Sequence, residues 1–133
     1  KDLGSRHVLV VAADDGLDEI STSAGTQVGE LKDGELRFYQ VCPEDFDIDR
    51  QADFTALQVD SAADSLELLR QALNYSHRAA GDIVALNAGA AIYVAQLSSS
   101  LVEGVEMAKS VLAGGEALVK LEALVAFTQS QGS

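Results

Sequence analysis

An unbroken apolar run near the start of the chain most constrains how this sequence can fold. Residues 7–13 read His-Val-Leu-Val-Val-Ala-Ala, and the run is rich in β-branched side chains. Such a run is typical of a strand that is buried on both faces, as in a parallel sheet. A strand of this kind needs neighbouring strands and covering helices. Because the remaining sequence offers few strands of the same type, we expect either a small mixed sheet or a missing upstream half.

Residues 28–39 predict a β-hairpin. Asp33 and Gly34 suit a two-residue type I′ turn, in which both central residues have positive φ. The resulting register pairs opposite charges across the strands, with Glu30 facing Arg37, and collects apolar side chains on the other face. That apolar face consists of Leu31, Leu36 and Phe38.

Residues 61–129 predict about four helices. Ser61 with Asp64, and Ser100 with Glu103, have the spacing of capping boxes at helix starts. The other predicted segments are an apolar helix over 82–96, a helix end at Gly114-Gly115, and a last helix over 116–128 with Leu118, Leu121, Leu124 and Val125 facing inward. The fold class expected is therefore α/β, with one buried parallel-type strand, a hairpin and then the helices.

The charge balance excludes several classes of partner. Nine Lys and Arg against 21 Asp and Glu give a net charge of −12, which attracts neither nucleic acid nor an anionic membrane. No apolar run approaches the roughly 18 residues of a membrane-spanning helix, and no signal segment opens the chain. The one cysteine, Cys42, cannot form an internal disulfide. These features predict a cytoplasmic protein.

The polar cluster in the most informative place is the acidic segment 14–19, which directly follows the first predicted strand. It reads Asp-Asp-Gly-Leu-Asp-Glu, and in α/β folds ligands bind outside the carboxyl ends of strands. Four carboxylates this close repel one another unless a cation binds or water solvates the loop. Mg²⁺ takes one or two carboxylates plus substrate phosphates. The spacing alone leaves open a solvated acidic turn or a Mg²⁺ site.

Other polar residues give weaker signals. His7 at the strand entrance is expected to be structural, and Asn87 inside an apolar helix is expected to satisfy a backbone or helix partner. The hydroxyls around Gly25 could donate to a phosphate or belong to a polar turn; they are those of Ser21, Ser23, Thr22 and Thr26. The chain has neither G-x-x-x-x-G-K-[ST] nor G-x-G-x-x-G.

Segments spread over nearly the whole chain, in order, carry a resemblance to one enzyme family. They are residues 3–11, 15–21, 30–35, 43–46, 82–84, 86–88, 91–95 and 118–121. These segments resemble anthranilate phosphoribosyltransferases, in their C-terminal portion. The resemblance implies that residues 1–133 are the C-terminal part of the large α/β domain, with strands, metal loop and hairpin over 3–60 and helices over 61–129. The N-terminal helical domain, through which the family dimerises, would then be absent.

The resemblance also implies a function. The family transfers phosphoribose from phosphoribosyl pyrophosphate to anthranilate and releases pyrophosphate, a step of tryptophan biosynthesis. Asp18 and Glu19 match the family's Asp-Glu pair, which implies that they bind Mg²⁺ together with the pyrophosphate. No other catalytic or substrate-binding residue is identified in this portion.

The departures from the family pattern limit what this chain is expected to do alone. The family's G-T-G-G-D loop, its K-H-G-N segment and its anthranilate-binding Arg are absent from the sequence. We therefore expect the chain alone to be inactive, to need the upstream half of the same enzyme, and to form a homodimer only when intact. The alternative from another class is a non-catalytic acidic module that binds Mg²⁺ or a partner protein.

Overall fold

A three-stranded antiparallel sheet and four helices make up the part of the chain that the computed structural model describes, residues 2, 4–52 and 54–131. The strands and α-helices, in chain order, are β1 (His7–Ala13), β2 (Thr26–Lys32), β3 (Glu35–Val41), α1 (Ala62–Leu73), α2 (Arg78–Val94), α3 (Leu101–Ala113) and α4 (Glu116–Gln131). Short 3₁₀ helices, Pro43–Phe46 and Thr55–Leu57, lie between β3 and α1. The α/β class and the predicted order of elements are confirmed. No helix in the described ranges combines the length and apolarity that crossing a bilayer requires.

The pairing of β1 differs from the prediction. β1 lies at an edge of the sheet and pairs antiparallel with β2, with Val8 opposite Leu31. Leu9 and Val11 pack against the hydrophobic core, whereas Val10 on the opposite face is 67% exposed. The expectation of a parallel pairing and of burial on both faces is wrong for the described residues, because helices cover only one face of this sheet.

The hairpin forms in the predicted register. Asp33 and Gly34 have φ values of 51° and 83°, as a type I′ turn requires, and Glu30 lies opposite Arg37. The expected ion pair between Glu30 and Arg37 does not form. Arg37 donates instead to Glu35, on its own strand, at 2.7 Å. Glu30 instead points toward the helices.

The carboxylate of Glu30 is the centre of a buried polar cluster between the sheet and α2. Its side chain is 8% exposed. Tyr93 and His7 donate to Oε1 at 2.8 and 3.0 Å, and Tyr39 donates to Oε2 at 3.1 Å. Burial alone would raise the pKa of Glu30, but these hydrogen bonds outweigh it and hold the pKa below the ordinary value of 4.5. The cluster therefore stabilises the ionised form.

Helices α2 and α3 approach each other closely at two glycines. A methyl group on Gly89 would lie 2.5 Å from Cα of Val105, and one on Gly104 would lie 2.4 Å from the carbonyl oxygen of Gly89. Neither position has room for a side chain. The two helices are therefore packed backbone against backbone. The hydrophobic core beside them contains Ile20, Val28, Ile48, Leu86 and Val105.

Two helix predictions need correction. Helix α2 begins at Arg78 rather than at 82, because His77 caps it: Nδ1 accepts from the Ala80 N–H at 3.2 Å. Histidine is not among the strong N-cap residues, so sequence patterns contain no signal for a helix start at this position. On α4, Leu124 and Val125 are 57% and 42% exposed, so their predicted inward packing is wrong.

The glycine contact predicts a large cost for a small substitution. We expect Gly89→Ala to lower the free energy of unfolding by about 1–3 kcal/mol, because the added methyl overpacks the contact with α3. Denaturant unfolding followed by circular dichroism measures the change. Gly114→Ala is the matched control, since Gly114 has φ of −73° and an added methyl there has its nearest atom at 3.3 Å. Equal effects of the two substitutions would contradict the packing argument.

The Glu30 cluster predicts an acid-dependent stability difference. A lowered pKa in the folded state stabilises the fold above the unfolded value near 4.5, and this contribution disappears as the pH falls through the folded value. At pH 7 we expect Glu30→Gln to cost about 1–3 kcal/mol, because one acceptor of a buried network is lost. The difference between wild type and variant should shrink below pH 4.5 in parallel denaturant titrations. A difference independent of pH would show that the charge is not what matters.

Candidate functional site

The acidic segment forms a closed loop at the carboxyl end of β1. The N–H of Ala13 donates to the carbonyl of Leu17 at 3.1 Å, and the N–H of Asp14 donates to the carbonyl of Gly25 at 2.8 Å. Gly16 has φ of +89°, a conformation that favours glycine. These bonds fold the loop back on itself before the chain enters β2.

Two of the four carboxylates accept hydrogen bonds from other side chains of the protein. Asp14 accepts from the side-chain amide of Gln40 at 2.8 Å, and Oδ2 of Asp15 accepts from the hydroxyls of Ser21 and Ser23, both at 2.5 Å. The slight burial of Asp15 would raise its pKa, but the hydrogen bonds outweigh it and lower the pKa below the ordinary 3.8. Asp14 and Asp15 therefore hold the loop together.

The other two carboxylates, those of Asp18 and Glu19, are exposed. Neither side chain hydrogen-bonds to any residue in the described part of the chain. Carboxylate oxygens without competing partners are the hard donors that Mg²⁺ prefers. No three His, Cys, Asp or Glu residues within the described ranges come together as a metal site. The pair could therefore supply at most part of a coordination shell and would leave the rest to water or phosphate oxygens.

The backbone on both sides of this pair is fixed. Leu17 precedes it and is bonded to Ala13, as described above. Ile20 follows it, and Asn87 of α2 contacts both backbone polar groups of Ile20: Oδ1 accepts from the N–H at 2.9 Å, and Nδ2 donates to the carbonyl at 3.1 Å. The expectation that Asn87 satisfies a backbone partner is confirmed. The partner itself, 67 positions away, had no signal in the sequence.

The hydroxyl-rich segment after the loop is a structural element rather than an open cradle. Ser21 and Thr26 are 1% and 0% exposed, and the Thr26 hydroxyl accepts from the N–H of Ser21 at 3.1 Å. The hydroxyl of Thr22 is buried without a hydrogen-bond partner in the described chain. Arg50, which the sequence did not single out, donates to the carbonyl of Ser23 at 3.3 Å. The hydroxyls could belong to a phosphate site or to a polar turn, and these contacts favour the polar turn.

His7 lies at the opposite end of β1 from the acidic loop. It contacts Glu30 and stacks edge-on against Tyr93, with ring centroids 4.7 Å apart. The expected structural role of His7 agrees with these contacts. The candidate site is thus confined to the acidic loop.

The fold and the candidate site together define an α/β domain with an exposed pair of carboxylates at the end of a strand. Residues 1–118 match the family described as "Glycosyl transferase family, a/b domain". The chain belongs to this family.

Individual relatives are more specific. The chain is 52% identical over 128 residues to the anthranilate phosphoribosyltransferase of Thioalkalivibrio sulfidiphilus. This alignment covers 96% of the chain and 38% of the relative. It is 52% identical over 130 residues to that of Stutzerimonas stutzeri, covering 95% of this chain and 37% of the relative. The chain thus spans less than two-fifths of the length of these relatives.

Solved structures give the same result. The anthranilate phosphoribosyltransferase of Thermus thermophilus is similar with a TM-score of 0.79 and 35% identity, over 92% of this chain and 36% of that one. The Saccharomyces cerevisiae enzyme in complex with PRPP and Mg has a TM-score of 0.77 over 93% of this chain and 36% of that one. At 19% identity, the second likeness shows the fold alone.

Proposed function

We propose that this chain is the C-terminal part of the α/β domain of an anthranilate phosphoribosyltransferase, with strands, metal loop and hairpin over 3–60 and helices over 61–129. The observation that carries the proposal is the exposed pair Asp18 and Glu19, free of protein partners in the described chain and anchored on both sides. The intact enzyme transfers phosphoribose from phosphoribosyl pyrophosphate to anthranilate and releases pyrophosphate, within tryptophan biosynthesis. The 52% identity to relatives of that name supports this assignment.

In this proposal Asp18 and Glu19 hold Mg²⁺. Bound Mg²⁺ supplies charge neutralisation at the leaving pyrophosphate. The two side chains orient that charge at the end of β1 and need no proton transfer of their own. The anthranilate amine attacks the ribose carbon directly, so positioning and electrostatics supply most of the rate. A chain with a net charge of −12 needs cationic help to hold a polyanionic substrate.

The proposed partner is the upstream half of the same enzyme, which would complete the substrate sites. The outer face of the sheet supports this, since Val10, Leu36 and Phe38 are 67%, 62% and 77% exposed there. Contiguous exposed apolar surface of this kind marks interaction sites. We further propose a homodimer for the intact enzyme and, from the single thiol of Cys42, a cytoplasmic location.

The metal assignment predicts the effect of a charge-neutralising double substitution. We expect Asp18→Asn with Glu19→Gln to weaken Mn²⁺ binding to the chain by about tenfold or more, because both carboxylate ligands are lost. Paramagnetic broadening of backbone amide signals during a Mn²⁺ titration measures it. Asp33→Asn with Glu35→Gln is the matched control, since it removes the same charge from the exposed hairpin turn. Equal weakening by both pairs would mean that only net charge matters.

The division of labour between the two parts predicts that the purified chain alone shows no turnover of anthranilate with phosphoribosyl pyrophosphate and Mg²⁺. A hybrid in which this chain replaces the matched stretch of the Thioalkalivibrio sulfidiphilus relative should be active, as followed by loss of anthranilate fluorescence. In that hybrid we expect the Asp18→Asn, Glu19→Gln pair to lower kcat/KM by about 100-fold or more. A folded but inactive hybrid would favour the alternative, a non-catalytic acidic module.

A further inference from the structure

The side chain of Asn87 occupies an unusual position between helix α2 and the acidic loop. Its amide makes three hydrogen bonds: it accepts from the N–H of Ile20 at 2.9 Å and donates to the carbonyls of Ile20 and Ile83 at 3.1 and 3.0 Å. Both backbone groups of one loop residue are thus satisfied by one helix side chain. The network also fixes the orientation of the amide, since a flipped amide would place its oxygen against two carbonyl oxygens.

Ile20 is the residue immediately after Glu19. Ile20 is 2% exposed and belongs to the hydrophobic core, so this point of the loop is held by packing as well as by hydrogen bonds. On the other side of the carboxylate pair, the carbonyl of Leu17 is bonded to the N–H of Ala13 at 3.1 Å. Asp18 and Glu19 are therefore the two residues between two fixed points, and Asn87 forms one of those points.

The helix that carries Asn87 is tightly packed against α3. Two residues further along α2, Gly89 contacts the backbone of α3 so closely that a methyl group would lie 2.5 Å from Cα of Val105. A side chain on a packed helix positions its hydrogen-bond partner more precisely than a side chain on a loop does. The position of the carboxylate pair therefore depends on the packed helices α2 and α3 as well as on the sheet.

We propose that Asn87 is a positioning residue for the metal and substrate site: it pre-organises Asp18 and Glu19 without touching metal or substrate. The inference rests on the proposed function, because it assumes that this pair binds the cation. Residues that orient metal ligands from behind commonly change metal affinity by roughly 10- to 100-fold when they are replaced. Asn87 makes contacts to the backbone beside the ligands rather than to the ligands themselves.

The test uses two measurements on the hybrid enzyme described above, in which this chain has its upstream half: amide hydrogen exchange at Ile20 and the dissociation constant for Mn²⁺. In Asn87→Ala we expect the Ile20 amide to exchange roughly tenfold faster or more, because its acceptor is gone. We expect the Mn²⁺ dissociation constant to rise by roughly tenfold. Asn87→Gln keeps the amide on a longer side chain and should show smaller changes in the same direction, and it replaces the alanine variant if that variant does not fold.

Two control variants separate positioning from general stability. Asn74→Ala removes the same kind of side chain from the end of α1, where its oxygen accepts from the N–H of Ser76 at 2.9 Å. Glu30→Gln weakens the polar cluster at the far end of β1. Both should leave the Mn²⁺ dissociation constant at its wild-type value under conditions where the fold is intact, and Asn74→Ala should also leave Ile20 exchange unchanged. Glu30→Gln, which lowers overall stability, shows how far a general loss of stability alone changes exchange.

The outcomes distinguish the two proposals. Faster Ile20 exchange together with weaker Mn²⁺ binding, confined to the Asn87 variants, supports the inference. Unchanged Mn²⁺ binding in these variants overturns it, whether or not exchange becomes faster, because Asn87 would then stabilise the loop without serving the metal. If wild type binds Mn²⁺ no better than the Asp18→Asn, Glu19→Gln pair, the proposed metal function itself fails and the inference falls with it.

Discussion

The structure depends on one buried carboxylate. Glu30 on β2 accepts hydrogen bonds from His7 on β1, Tyr39 on β3 and Tyr93 on α2, so all three strands and the supporting helix meet at its two oxygens. A buried ion without partners would be costly, whereas three donors compensate for the burial of this one and connect the elements that supply them. Lys32 adds a donor to Tyr93 at 3.1 Å and places its charge 4.5 Å from the centre of that ring.

The two ends of β1 have different tasks, and α2 serves both. At the amino end, His7 is held in the polar cluster by Glu30 and Tyr93. At the carboxyl end, the strand passes into the acidic loop, whose return point at Ile20 is held by Asn87. Tyr93 and Asn87 lie on the same helix six positions apart. The polar cluster and the candidate site are therefore at opposite ends of one strand, and the same helix contacts both.

The local parts of this fold could be predicted, and the long-range polar contacts could not. The hairpin follows from the turn chemistry of Asp33-Gly34, which fixes its register within a few residues. The partners of Glu30 could not be foreseen in the same way. Strand alternation placed Glu30 opposite Arg37, but the contact with Tyr93 spans 63 positions and depends on how α2 packs on the sheet. The start of α2 was missed because His77 is an uncommon cap.

The candidate site shows the same limit at smaller scale. The position of the acidic loop could be predicted from the sequence, because four carboxylates directly follow the first predicted strand. The contacts that separate these carboxylates into two pairs are visible only in the structure. The hydroxyls of Ser21 and Ser23 stabilise the charge of Asp15, and the side-chain amide of Gln40 donates a hydrogen bond to Asp14.

These internal donors have a consequence for the other pair. Because two of the four carboxylates accept hydrogen bonds from within the protein, the loop has internal contacts that do not depend on a bound cation. Asp18 and Glu19 then have no structural bond to give up when a cation arrives. A ligand that must first break a hydrogen bond binds more weakly than one that is already free. The serines and the glutamine therefore contribute to the proposed metal site by occupying the carboxylates that do not serve it.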